Sequence, residues 1–265
     1  MAPDLLLLGA LGLVVGFFAG LLGIGGGGIM VPALTAFFIH QGHDPNQVVH
    51  MALATSLSSI IFNASISTYS HQKHDAIIWP IVYRMAPFVA TGSLLATLLA
   101  IKLTSKTLAV VFVVFMVVIA AQLMLNIKPK GKKQHISQLK LGLGGSLIGF
   151  FSALLAIGGG SFTVPFLNWH QINIKKCIAT AAALGLPISL TGTLILAINQ
   201  PNTVQSNAHM IGFIYWPATL ALTLGALITT PVGASLTHRL PVQVLKRIFA
   251  LLLVILAIKM YLTLV

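Results

Sequence analysis

The chain has 265 residues, of which 57% are hydrophobic and 7% charged, where soluble domains carry about 25% charged residues; its mean hydropathy is +0.98. That composition excludes a soluble enzyme or binding module and defines a polytopic membrane protein whose apolar stretches, at about 20 residues per crossing, leave no room for a soluble domain. The formal net charge of +12 would suggest nucleic acid in a soluble protein, but most lysines and arginines sit at span ends, where they set orientation in the bilayer, so no nucleic-acid partner is expected.

The first apolar stretch, 5–23, has no basic leader and no small-residue cleavage site, so the sequence predicts a retained helix rather than a signal peptide. It runs into a glycine cluster inside residues 16–32, GFFAGLLGIGGGGIMVP, and the whole pattern returns at 149–165 as GFFSALLAIGGGSFTVP, 133 residues later. Glycine costs about 1 kcal/mol against alanine in a helix interior, so both clusters predict breaks in membrane helices. Each closing Val-Pro is expected to open a short apolar helix, 32–39 and 165–169, since proline suits a first helical turn. Further spans are predicted at 47–70, 77–101, 105–127, 140–157, 174–198, 211–237 and 242–264. Ala54-Thr55 and Trp79-Pro80 recur as Ala179-Thr180 and Trp216-Pro217. The sequence therefore divides into a first repeat at 1–127, a basic cytoplasmic linker at 128–139 and a second repeat at 140–265.

The basic residues decide how the repeats are related. If the short pieces return to the side they came from, the copies are parallel, and Lys102, Lys106, Lys175, Lys176, Arg239, Lys246 and Arg247 all fall outside. If each piece crosses, the inside holds Lys73, the five lysines of 128–140, Lys175, Lys176, Arg239, Lys246 and Arg247, leaving Lys102, Lys106 and Lys259 outside. The positive-inside tendency selects the second arrangement. The expected fold is all-α and polytopic, with two inverted-topology repeats, each a glycine-broken segment followed by a half-helix, and both termini outside.

A helix that starts after a glycine break leaves four N–H groups without intrahelical partners and carries roughly half a positive charge there. Two such starts near the midplane, at Gly25, Gly26, Gly27 and Gly28 and at Gly158, Gly159, Gly160 and Ser161, would bind an anion without a charged side chain. The alternative is that these glycines only permit close packing; duplication with a closing Val-Pro favours the site. In ATSLSSIIFNASIST from Ala54, Thr55, Ser58, Ser59 and Asn63 recur at helical spacing. Thr55, Ser56 and, in the second copy, Thr180 are the candidates for completing the site, although interhelical hydrogen bonding accounts equally well for any one hydroxyl. Arg84, about two turns into its span, can pair with an anion or snorkel to the interface. His50, His71 and His74 fit interfacial positions at span ends. Gly23, Gly25 and Gly28 also satisfy G-x-G-x-x-G, but no strand precedes them and no βαβ unit holds them. Ser161 lacks a nearby histidine base, which argues against an intramembrane protease. Asp4, Asp44 and Asp75 all fall at span ends, which favours an anionic or neutral substrate over a cation. The single cysteine, Cys177, excludes an internal disulfide and a multi-cysteine metal site, and neither a metal nor a cofactor is expected.

GLLGIGGGGIMVP, its second copy ALLAIGGGSFTVP, the Ala-Thr after each and the basic central stretch resemble the TauE/SafE family of sulfite and organosulfonate exporters, also called TSUP or DUF81. The resemblance spans nearly the whole chain. It implies a bacterial inner-membrane permease, not an enzyme, moving a small sulfur-containing oxyanion such as sulfite, sulfoacetate or thiosulfate, or another small organic anion. Alternating access around the midplane anion site is the expected mechanism, with a coupling proton as a candidate co-substrate. An anion channel with the same doubled half-helix pore is the other reading.

Overall fold

The computed structural model describes residues 2–23, 25–125, 137–199, 209–237 and 242–264. Among these, ten α-helices follow in order: α1 (Ala2–Leu22), α2 (Gly27–His40), α3 (Val48–Gln72), α4 (Trp79–Lys102), α5 (Ser105–Leu125), α6 (Gln138–Leu154), α7 (Gly160–Trp169), α8 (Ile174–Ile198), α9 (Trp216–Thr237) and α10 (Val242–Leu264). A two-residue antiparallel hairpin, β1 (Met210–Ile211) and β2 (Ile214–Tyr215), leads into α9. The expected all-α polytopic fold is present, and α1, α3, α4, α5, α8 and α9 are long and apolar enough to cross a bilayer. Helix α6 is shorter than its expected span: it ends at Leu154 because the chain turns there, Leu155 and Ala156 closing on Phe151 and Ala153. Most of the expected 128–139 linker lies outside the described residues.

The packing follows an exchange of halves. Helix α1 packs most extensively on α9, and its counterpart α6 on α4; α3 packs on α8, and α5 on α10. The α1/α9 and α4/α6 pairs are backbone-to-backbone contacts. A Cβ at Gly12, Gly16 or Gly20 would meet the backbone of Leu222, Ala226 or Thr230, and one at Gly92 or Gly149 would meet Ser146 or Val89. Small residues at four-residue intervals are what allow membrane helices to approach so closely. Each repeat is thus held together largely by helices of the other.

Both expected breaks are present, but the short helices begin earlier than the prolines suggested. Helices α2 and α7 start at Gly27 and Gly160, each behind a left-handed glycine cap, Gly26 (φ 85°) and Gly159 (φ 82°). Pro32 and Pro165 therefore lie inside the helices. Glycine reaches a left-handed cap at no steric cost, and this fixes the start one turn ahead of proline, whose ring removes a single donor from the second turn. At 14 and 10 residues, the two helices measure about 21 and 15 Å, short of the roughly 30 Å hydrocarbon core.

Candidate functional site

Two pairs of equivalent positions in the breaks share a left-handed backbone, whereas Gly25 (φ 74°) has no left-handed counterpart at Gly158. Gly23 (φ 66°) is matched by Ala156 (φ 46°), a left-handed alanine, and Gly26 by Gly159. The segments touch each other: a Cβ on Gly25 would lie 2.6 Å from the Gly158 Cα and 3.3 Å from the Ile60 Cγ2, and one on Gly27 would collide with the Ala156 carbonyl. The two helix starts expected from the sequence are therefore brought together, with glycine required at the meeting point.

The backbone donors at each start divide in the same way. The Gly26 carbonyl accepts from Ile29 (3.0 Å) and Met30 (3.1 Å), and the Gly159 carbonyl from Phe162 (3.2 Å) and Thr163 (2.8 Å). This leaves the N–H groups of Gly27 and Gly28, and of Gly160 and Ser161, without a backbone acceptor among the described residues. Paired helix N-termini of this kind favour negative charge.

Beside them is a small cavity lined by Ala19, Gly23 and Gly25, by Asn63, Ala64 and Ser67 of α3, by Gly158, and by Ala182 of α8. No charged side chain lines it. Asn63 is 1% exposed, and neither its amide nitrogen nor its amide oxygen has a hydrogen-bond partner; the hydroxyls of Ser56, Ser59 and Ser67 on α3, and of Ser152, Ser161 and Thr163 around the second break, are likewise buried and unpaired. Each such group costs about 1–3 kcal/mol when left unsatisfied. Elsewhere in the bundle the buried hydroxyls of Ser93, Ser189 and Thr237 donate to the carbonyls of Ile188 (2.9 Å), Gly185 (2.8 Å) and Leu21 (2.7 Å). Most of the unsatisfied groups lie around the breaks and along α3, with Thr35 of α2, Thr193 of α8 and Thr223 of α9 unpaired elsewhere.

The other candidates are placed differently. Thr55 accepts from the backbone N–H of Tyr215 (3.1 Å), directly before Trp216-Pro217, and Thr180 accepts from that of Ile78 (3.1 Å), directly before Trp79-Pro80. Each half's Ala-Thr thereby supports the start of a helix in the other half, α9 or α4, where proline leaves fewer donors to satisfy. Ser56 is fully buried near the site but off the cavity wall, and Arg84 is exposed on α4 and does not line the cavity. Of the three histidines at span ends, His74 is exposed as expected, but His50 and His71 are buried. His50 is 5% exposed, its Nε2 lying 3.1 Å from the carbonyls of both Ala100 and Leu103 with its ring stacked on Phe213, and His71 is fully buried with Nε2 3.2 Å from the Gly20 carbonyl. Asn63 and Ser67 are the functional candidates that sequence reasoning undervalued. Asn63 stood in the polar run after the first short helix, but its exposure to the breaks depends on helix rotation, which spacing alone does not fix.

A bundle of apolar helices interrupted by two converging half-helices around a small uncharged cavity, with Asn63 and Ser67 as its polar residues, is the architecture of a multi-pass membrane transporter. The chain matches the family model for the sulfite exporter TauE/SafE over residues 8–260 and belongs to that family. It is 34% identical over 258 residues to a probable membrane transporter protein of Haemophilus influenzae, covering 97% of each chain. It is 26% identical over 270 residues to the probable membrane transporter protein YunE of Bacillus subtilis (92% and 93% covered), and 26% identical over 238 residues to one from Methanocaldococcus jannaschii (86% and 85% covered). These relatives are named as transporters, not enzymes. No solved structure matches the chain.

Proposed function

We propose that this protein is a permease carrying a small sulfur-containing oxyanion or organosulfonate, of the sulfite, sulfoacetate or thiosulfate type, across the bacterial inner membrane by alternating access. The cavity between the two breaks is about the size of one water in this structure, so the anion occupies it when the breaks move apart. The observation that carries this reading is Asn63, an unpaired buried amide beside two helix starts whose first N–H groups have no backbone acceptor among the described residues. Backbone donors from 27–28 and 160–161, the Asn63 amide and the Ser67 hydroxyl replace the water that the anion loses. The absence of a cationic side chain from the wall keeps binding reversible, as a carrier needs, and the small buried cavity suits an empty closed state between two open ones. Inverted repeats supply those two states by exchanging conformations.

Titration of the purified protein with sulfite, sulfoacetate and thiosulfate tests the reading. Asn63→Leu is expected to weaken binding by about 10- to 100-fold, the equivalent of one hydrogen bond to a charged group at about 1.5–3 kcal/mol. Unchanged affinity in Asn63→Leu together with lost affinity in Arg84→Gln would move the site to α4.

A further inference from the structure

Helix α3 carries more unpaired polarity than one binding site needs. Ser56, Ser59, Asn63 and Ser67 are 0%, 0%, 1% and 2% exposed, and none has a hydrogen-bond partner. Spaced at i, i+3, i+7 and i+11, they form one stripe on the helix surface, about 16 Å long. Its neighbours on either side are settled. On one flank Leu57 and Ala64 pack against Gly192 and Gly185 of α8. On the other, Thr55 bonds the Tyr215 N–H and Ser58 bonds Thr219 of α9 at 2.7 Å. Thr55 and Ser58 thus have partners across the helix interface, whereas the four residues of the stripe, like Thr68 beside it, have none.

The counterpart helix lacks this stripe. Thr55 and Thr180 are equivalent, 125 residues apart, and the same offset places Ala181, Leu184, Ile188 and Gly192 opposite Ser56, Ser59, Asn63 and Ser67. Ile188 lies against Gly159, where a Cβ would be 2.9 Å from its Cδ1. The backbone is duplicated, but the polarity is one-sided.

We infer that the stripe on α3 is the wall of the permeation path between the anion cavity and the membrane face at the N-terminal end of α3, while α8 supplies a dry wall. This rests on the proposed anion site at the lower end of the stripe, at Asn63 and Ser67. The hydroxyls hand the anion along by exchanging hydrogen bonds as α8 and α9 move apart. Their lack of partners in the closed state leaves them free to do so.

Single cysteines at positions 56, 59, 63 and 67 and at 184 and 188, introduced into the full-length Cys177→Ser protein in proteoliposomes, test this with an anionic, membrane-impermeant methanethiosulfonate. Thiolates form and react only where water reaches. The four α3 positions are expected to react at least ten-fold faster than 184 and 188, and sulfoacetate, which does not cleave thiosulfonates as sulfite does, is expected to slow reaction at 67. Equal rates on the two helices, or no reaction at any α3 position in variants that elute as folded protein, would overturn the path. A reactive α3 stripe in a protein that binds no sulfite would support the path while refuting the substrate reading above.

Discussion

At the scale of single residues, a buried polar group kept for a ligand behaves differently from one kept for the fold. Asn63→Leu removes an amide with no partner, so thermal stability should hold or rise while anion affinity falls. Thr55→Val and Thr180→Val each strand a backbone N–H that starts a helix of the other half. They are expected to cost about 1–3 kcal/mol of stability each, visible as a lower melting temperature, with little change in affinity per folded molecule. Ala156→Gly should stabilise by about 1 kcal/mol, since a left-handed backbone strains any residue with a Cβ. The three carboxylates belong to the surface: Asp44 accepts from Asn46 (2.9 Å) in the loop after α2, and Asp4 lies within 3.4 Å of the Gln41 amide. Replacing Asp4, Asp44 and Asp75 by Asn, singly or together, is expected to leave flux unchanged; a defect in a correctly inserted variant would show that a carboxylate couples transport.

At the scale of elements, the sequence identified the spans, the two breaks and the pairing of motifs, because apolar length and glycine clusters are local signals. It misplaced the starts of the short helices, since Val-Pro reads as a first turn whereas the left-handed caps at Gly26 and Gly159 fix the start earlier. It also could not show that Thr55 and Thr180 reach across to the opposite half, a pairing set by which helices pack together. Close packing limits which variants inform about the site. A side chain at Gly27 would collide with the Ala156 carbonyl, so Gly27→Val separates the two segments instead of only blocking a ligand, and Asn63 is the cleaner probe. Gly20→Val in the α1/α9 contact is expected to abolish the folded yield. Gly42, in the loop after α2 with nothing within 4 Å of a Cβ, should tolerate alanine at the modest cost of its positive φ. Fluorescence-detected size exclusion of both variants separates these outcomes.

At the scale of the whole molecule, exchanged helix pairs suit the proposed carrier, and the polar stripe of α3 has no counterpart at the equivalent positions of α8. The positive-inside count requires the N-terminal ends of α5 and α8 to lie on opposite faces. A cysteine replacing Lys106 is therefore expected to react with an impermeant reagent from outside, and one replacing Lys175 only after permeabilisation; outside labelling at both would remove the inverted arrangement. The central claim, an anion held between two glycine-started helices, is tested most directly by locating the anion itself. Crystals soaked with selenite, the selenium analogue of sulfite, and measured at the selenium edge should show an anomalous peak within hydrogen-bonding reach of the Asn63 amide and the N–H groups of Gly160 and Ser161. A peak beside Arg84 with an empty cavity would contradict the account.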